Sequence, residues 1–342
     1  MNPYNTKFRL TQMKHLLTLL GLLAILATNS IHAKDWVVYD GHEGPGKGKH
    51  IVFLTGDEEY RSEEGMPMLG KILAKHHGFK CTVLFAVDPE TGDINPDNQT
   101  NLPGFELIST ADLLVVFYRF REPSEAQMKI LDDYIDAGKP IMGLRTATHA
   151  FNMKRNKTSP YQRYDFRSKD WPGGFGQQVL GDTWINHHGH HKREATRGFV
   201  NGMNQNHPIL RGVVDVFGPS DVYGVRHLLP TDTVLLYGAT LVGMNPTDPV
   251  KKEKSLMPIA WTRDYQGKSG KSNRVFCTTM GASVDLLSED LRRLLVNACY
   301  WGLEMEDQIP ERSTVDYVGK YEPTFYGFGS YQRGIKPSDH EW

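Results

Sequence analysis

The sequence of 342 residues is poor in cysteine and has almost no net charge. Three cysteines are too few for a disulfide-stapled small protein, and an odd number leaves at least one thiol without a partner in the same chain. The 39 basic residues nearly balance the 40 acidic ones, which disfavours a strongly basic nucleic-acid binder. The hydrophobic fraction of 39% is enough for a sizeable core and disfavours a disordered chain.

Long apolar runs are also scarce, and the longest lies near the N-terminus. Residues 16–27 read LLTLLGLLAILA, follow several basic residues and precede the small residue Ala33. This order is typical of a secretory signal peptide over residues 1–33. A membrane anchor is the alternative, but the run is shorter than the ~20 residues that a spanning helix needs. We therefore expect a periplasmic or secreted protein without a stable membrane anchor, translated from Met1 or Met13.

After this leader, short apolar segments alternate with segments of helical spacing. Continuous apolar runs predict strands at 50–55, 80–86, 113–118, 140–144, 234–237, 257–261 and 274–278. Apolar spacing and capping residues predict helices at 65–77, 124–137 and 288–302. Alternating strands and helices are typical of βαβ units, so we predict an α/β fold with a mostly parallel sheet. One domain is expected over residues 34–303, followed by a polar tail at 304–342.

Three polar segments directly follow predicted strands, where open parallel sheets bind their ligands. They are residues 56–61, 119–122 and 145–149. A phosphate loop and a Gly-x-Gly-x-x-Gly fingerprint are both absent from the first strand-to-helix turn, so nucleotide binding is poorly supported. The mixture of charges suits a small ligand with many hydroxyl groups. The predicted substrate-binding residues are Asp57, Glu58, Tyr60, Arg119, Arg121, Arg145, Thr146, Thr148 and, near a later strand end, Tyr223.

The segment at 145–149 lies where related α/β enzymes place a nucleophile on a strained elbow. Arg145 occupies that position and cannot act as a nucleophile, because its guanidinium stays protonated. His149 can serve as a general base, an oxyanion stabiliser or a metal ligand, or can merely cap the following segment.

The most unusual local feature is the run His187-His188-Gly189-His190-His191. Four imidazoles within five residues can supply metal ligands, and a strand would place His188 and His190 on one face. A polar loop that binds substrate hydroxyls is the other interpretation, because no His-Glu-x-x-His spacing accompanies the run. The candidate catalytic residues are His149, His188 and His190. The candidate ligands of a zinc-like divalent metal are His187, His188 and His190, and no other cofactor is indicated.

Several segments together resemble the ThuA-like (trehalose utilisation) family. The resemblance rests on HIVFLTGDEEYR, GLRTATHAF, FGQQVLGDTWINHHGHHKREATRGF, NHPILRGV, SDVYGV and RVFCTTMGASVDLL, which occur in order between residues 50 and 303. It implies a flavodoxin-like sheet with helices on both faces, shared with class I glutamine amidotransferases. Many ThuA-like proteins have His-Ser-Ala at the elbow, where this chain has Arg145-Thr146-Ala147. The family's elbow histidine therefore has no counterpart at Arg145, and glutaminase chemistry is excluded because the amidotransferase cysteine falls at the same place.

Three functions remain open at this point. The leading hypothesis, which the resemblance supports, is an exported enzyme acting on a disaccharide, a glycoside or a keto-sugar, as a hydrolase, isomerase or lyase. The second is a sugar-binding or scaffold protein that has kept the fold and lost the chemistry. The third is a metal-dependent hydrolase built on residues 187–191. A small carbohydrate is the expected ligand, and the sequence does not determine the oligomeric state.

Overall fold

The computed structural model describes residues 34–342, and the predicted leader at 1–33 lies outside them. Ten strands in the described part form one sheet. They are β1 Trp36–Tyr39, β2 His50–Gly56, β3 Lys80–Leu84, β4 Leu113–Tyr118, β5 Ile141–Leu144, β6 Thr196–Val200, β7 Val216–Gly218, β8 Thr233–Thr240, β9 Met257–Gln266 and β10 Ser272–Thr278. Their order across the sheet is β1-β3-β2-β4-β5-β10-β9-β8-β6-β7.

Three α-helices accompany these strands in residues 34–342: α1 Ser62–His77, α2 Glu125–Asp136 and α3 Glu289–Gly302. The predicted N-caps of two of them are confirmed, because Ser124 accepts from the Gln127 N–H and Ser288 from the Leu291 N–H. Within the same range, no helix is long and apolar enough to cross a membrane.

The sheet is mixed, which corrects the prediction of a mostly parallel one. The neighbours β3, β2, β4, β5 and β10 run parallel. β1 is antiparallel to β3, and every pairing from β10 to β7 is antiparallel. The cause lies in the connections. Parallel strands need long crossovers, but β9 and β10 are joined by the short segment 267–271, and no α-helix separates β6, β7, β8 and β9.

The parallel half of the sheet is buried on both faces. Phe53 and Val115 belong to one hydrophobic cluster, which includes residues of α1 and α3. Their neighbours Leu54 and Val116 belong to a second cluster, which includes residues of α2. Successive side chains of a strand point to opposite faces, so burial on both faces explains why β2 and β4 are continuous apolar runs.

The C-terminal tail at 304–342 packs along the domain. The Ile335 carbonyl accepts a hydrogen bond from the Ile94 N–H at 2.7 Å, and the His340 carbonyl accepts one from the Tyr39 hydroxyl at 2.7 Å. Tyr326 is buried as deeply as a core residue. The tail is therefore an ordered part of the structure and contributes to the walls of the site described next.

Candidate functional site

Arg145 begins the turn after β5 and lies at the centre of the polar cluster. Its φ of 48° lies in the left-handed region, which is strained for a residue with a Cβ. The guanidinium is fully buried between the rings of Tyr60 and Tyr223, 4.4 and 3.8 Å from their centroids. It donates to the Asp221 and Thr279 carbonyls at 2.7 Å each and to the Asp221 carboxylate at 3.1 Å. Arg145 thus organises the site from inside and does not line its open face.

Asp221 is held by Arg145 on one side and by two imidazoles on the other. Its Oδ2 lies 2.7 Å from Nδ1 of His187, and its Oδ1 lies 3.0 Å from Nδ1 of His191. Burial alone would raise the pKa of Asp221, but Arg145 and the two imidazoles hold it well below the ordinary value. The carboxylate is therefore an anion that fixes the orientation of both histidines.

His191 connects this carboxylate to a second one. Its Nε2 lies 2.9 Å from Oε1 of Glu59, so its two ring nitrogens face two different acids. The hydrogen bonds to Asp221 and Glu59 raise the pKa of His191 to about 9. The side chains of His187 and His191 are 34% and 26% exposed, whereas the two carboxylates are buried. The imidazoles therefore form the solvent-facing side of the cluster.

The other two histidines of the run point elsewhere, which corrects the predicted pairing of His188 with His190. Nε2 of His188 contacts the Ser255 carbonyl at 2.9 Å, and His190 is exposed. The chain turns instead of continuing as a strand, because the His190 carbonyl accepts from the Glu194 N–H at 2.9 Å. In the described part of the chain, the group able to share one metal ion is therefore His187, His191 and Asp221.

His149 lies in an aromatic enclosure next to this cluster. Its ring centroid is 5.1 Å from that of Phe120, 5.4 Å from Trp184 and 6.2 Å from Tyr223. Burial, followed by the charges of Arg119 and Arg145, lowers the pKa of His149 well below its ordinary value. The imidazole is therefore neutral at physiological pH, in surroundings that disfavour its protonated form.

The two arginines after β4 have different positions. The carboxylate of Glu58 forms ion pairs with both Arg119 and Arg121. Arg121 is fully buried and donates from Nε to the Arg119 carbonyl at 2.8 Å. The Arg119 guanidinium lies between the rings of Phe120 and Phe328, 4.5 and 5.0 Å from their centroids, and remains partly exposed. Of the pair, Arg119 is the one available to a ligand.

Asp57 and the two threonines of the elbow hold the loops together. Oδ1 of Asp57 accepts from the backbone N–H groups of Glu59 and Tyr60 at 2.7 and 2.8 Å, and Oδ2 accepts from the Thr146 hydroxyl. Thr148 is buried as well. These three predicted substrate contacts lie within the polar cluster, where they shape the backbone beneath its open face.

Sequence reasoning missed the central position of Asp221 and the contribution of Tyr326. The Asp-Val-Tyr segment near a strand end was a signal for Asp221, but not for its contact with Arg145. The ring of Tyr326 lies 5.1 Å from Tyr60 and 5.6 Å from His191. Nothing in the polar tail indicates that contact, because it depends on the path of the whole chain.

Comparison with known proteins agrees with the sequence resemblance. No curated protein sequence matches the chain significantly. A thua-like protein from Parabacteroides merdae ATCC 43184 is 14% identical with a TM-score of 0.49, over 85% of this chain and 99% of that one. A thua-like protein from Bacteroides uniformis ATCC 8492 is 15% identical with a TM-score of 0.45, over 77% of this chain and 93% of that one. The family model ThuA, described as trehalose utilisation, matches residues 49–302, and the chain therefore belongs to the ThuA family.

Proposed function

We propose that the protein is an exported enzyme of carbohydrate utilisation that acts on a disaccharide, a glycoside or a keto-sugar. One observation carries the proposal: the imidazoles of His149, His187 and His191 converge with the Asp221 carboxylate and several aromatic rings. The cluster lies around the turns that follow β2, β4 and β5, where sheets of this kind bind ligands. Family membership supports the carbohydrate as substrate class.

The open face of the cluster suits a sugar ring. Phe120 and Trp184 are partly exposed, and Phe328 from the tail is 60% exposed. Aromatic faces pack against the C–H groups of a sugar, and the Arg119 guanidinium has several donors for its hydroxyl groups. We assign sugar binding to these four side chains.

We assign proton transfer to His149. Its neutral imidazole can accept a proton from a hydroxyl group or from the acidic carbon next to a keto group. The rings of Trp184 and Tyr223 lie between His149 and His187, so a ligand that displaces Trp184 would reach both imidazoles. We therefore expect Trp184 to move when substrate binds.

A product screen tests this function. Purified protein is incubated with disaccharides, glycosides and their keto derivatives, and products are identified by mass spectrometry. We expect conversion of at least one class, and His149→Gln should slow it by about 10²–10⁴-fold. His190→Ala is the control, because His190 is exposed and is not part of the group formed by His187, His191 and Asp221. No converted sugar, or full activity in the folded His149→Gln variant, would contradict the assignment.

A non-catalytic sugar-binding protein is the second candidate, and Arg145 favours it. The guanidinium occupies the elbow where related enzymes carry a nucleophile, and its hydrogen bonds go to groups of the protein itself. Calorimetry with the same sugars separates the two functions. Stoichiometric binding without any product would favour the binding protein.

The proposed export rests on the leader pattern at residues 1–33. N-terminal sequencing of protein from the periplasm or the medium should find a chain that starts near Lys34. Uncleaved protein confined to the cytoplasm would contradict this part of the proposal.

A further inference from the structure

We propose that His187, His191 and Asp221 bind a divalent transition-metal ion of the zinc type. One nitrogen of each imidazole and one carboxylate oxygen all lie within 4.8 Å of one another. A single ion with bonds of about 2.0–2.2 Å to nitrogen and oxygen joins atoms up to about 4.4 Å apart, so the three ligand atoms need to close only slightly around it.

The orientation of the two histidines supports a shared ion. Both rings turn Nδ1 toward the same carboxylate, at 2.7 Å for His187 and 3.0 Å for His191, and their centroids are 4.7 Å apart. Two imidazole nitrogens and one carboxylate oxygen form a donor set that zinc, iron and manganese accept.

The exposure of the three residues leaves room for a further ligand. Asp221 is buried, whereas about a third of His187 and a quarter of His191 are exposed, so the open side of the triad faces solvent. Metal sites with three protein ligands and one free position are typical of catalysis, because water or substrate takes the fourth position.

The groups around the triad are those that usually orient metal ligands. Glu59 lies 2.9 Å from Nε2 of His191, so Nδ1, which faces Asp221, is the nitrogen of that ring that would bind the ion after losing its proton. The backbone N–H groups of His188 and Gly189 both donate to the Val222 carbonyl, at 2.8 and 2.9 Å, and this pairing fixes the histidine segment beside Asp221. Ligand positions are therefore set by the protein before an ion arrives.

The charge balance also permits a cation. Arg145 is the nearest opposing charge, with its guanidinium 3.1 Å from the Asp221 carboxylate. Glu59 contacts His191, and Glu58 offsets the charge of Arg119. A divalent ion would therefore enter a region where carboxylates face the arginines.

This inference goes beyond the proposed function and is tested without any sugar. If both hold, the ion would polarise a hydroxyl or carbonyl oxygen of the substrate beside His149. If no sugar is converted, metal binding stands unaffected, because its readout is independent of turnover.

The test is a titration of the untagged full chain after treatment with a chelator. Zn²⁺ binding is followed by calorimetry and Co²⁺ binding by visible absorption, and we expect one ion per chain. Glu59→Gln should weaken Zn²⁺ affinity by about 10–100-fold, since it removes the charged group that orients His191. His187→Ala and the isosteric Asp221→Asn should weaken it further, and His187 is exposed enough for its variant to fold.

The neighbouring histidines provide matched controls within the same segment. His188→Ala and His190→Ala should leave the affinity unchanged, because neither ring faces the triad. The proposal is overturned if the wild type binds neither ion stoichiometrically. It is equally overturned if His188→Ala or His190→Ala loses as much affinity as His187→Ala, since the ion would then sit on surface histidines.

Discussion

Replacing Arg145 by methionine is the most direct test of how the site is held together. Methionine keeps much of the volume between the rings of Tyr60 and Tyr223 and carries a Cβ, so the strain at φ 48° is unchanged. The charge and the hydrogen bonds to Asp221, Thr279 and Tyr60 are lost. Asp221 is left as a buried anion whose compensation comes from the two histidines alone.

We expect Arg145→Met to lower the free energy of unfolding by about 3–5 kcal/mol, the usual result of removing one partner of a buried ion pair. The pH dependence should change as well. Arg145 helps to hold the pKa of Asp221 in the folded protein below its pKa in the unfolded chain. In the wild type, the ionised Asp221 therefore stabilises the fold fully above the unfolded pKa, and this stabilisation is lost as the pH falls to the folded pKa. In the variant the folded pKa of Asp221 lies closer to its unfolded value, so this acid loss should be smaller and should be complete at a higher pH.

Urea denaturation between pH 3 and 7 (about the range in which carboxylates titrate) measures both effects. Arg312→Met is the control, because Arg312 forms a surface pair with Glu289 in which both side chains are more than half exposed. That change should cost about 0–1 kcal/mol. If Arg145→Met costs no more than Arg312→Met, the buried pair does not hold the site together and the reasoning fails.

Three further predictions concern buried groups elsewhere. Burial raises the pKa of Glu63 to about 8, so the free energy of unfolding should fall as the pH rises from the pKa of Glu63 in the unfolded chain toward 8. In urea denaturation, Glu63→Gln should abolish this dependence on pH, and an unchanged dependence would refute the prediction. Tyr326→Ala should lower the free energy of unfolding by about 3–5 kcal/mol through lost packing, and a calorimetric melting temperature equal to that of wild type would contradict the packing. The thiols of Cys81, Cys277 and Cys299 are buried and their pKa values are raised, so they should react with a thiol reagent only after denaturation; rapid labelling of native protein would contradict this.

The central part of the fold was predictable because its signals are local. The run Leu113–Tyr118 is β4, with the predicted bounds, and Ser124 caps the helix that follows it. β1 and β7, one at each edge of the sheet, and β6 beside β7 were missed. Each is only three to five residues long, and β6 reads TRGFV, without a clear alternation of apolar and polar residues. Such strands form because a partner offers hydrogen-bonding groups, which depends on tertiary structure.

The grouping of the polar residues in the site was predictable, but the orientation of their side chains was not. Open parallel sheets bind ligands beyond the carboxyl ends of their strands, and this pattern predicted that Asp57, Arg119, Arg145 and His149 lie close together. The structure places them in one cluster. Which of them face solvent depends on packing from distant segments. In the run of histidines, the turn after Gly189 determines which imidazoles face the cluster. No periodicity in the sequence predicts that turn.

The contacts of the tail bear on the order in which the cluster is assembled during synthesis. Gly327 donates its N–H to the Glu59 carbonyl at 2.8 Å, and Trp342 packs edge-on against Tyr39 of β1, with centroids 5.3 Å apart. Segments separated by nearly the whole chain must therefore meet before the cluster is enclosed. A nascent chain still held in the ribosome at residue 303 has its sheet residues but an unfinished wall beside His191. The cluster can therefore be completed only after the tail has been translated and has packed onto the domain.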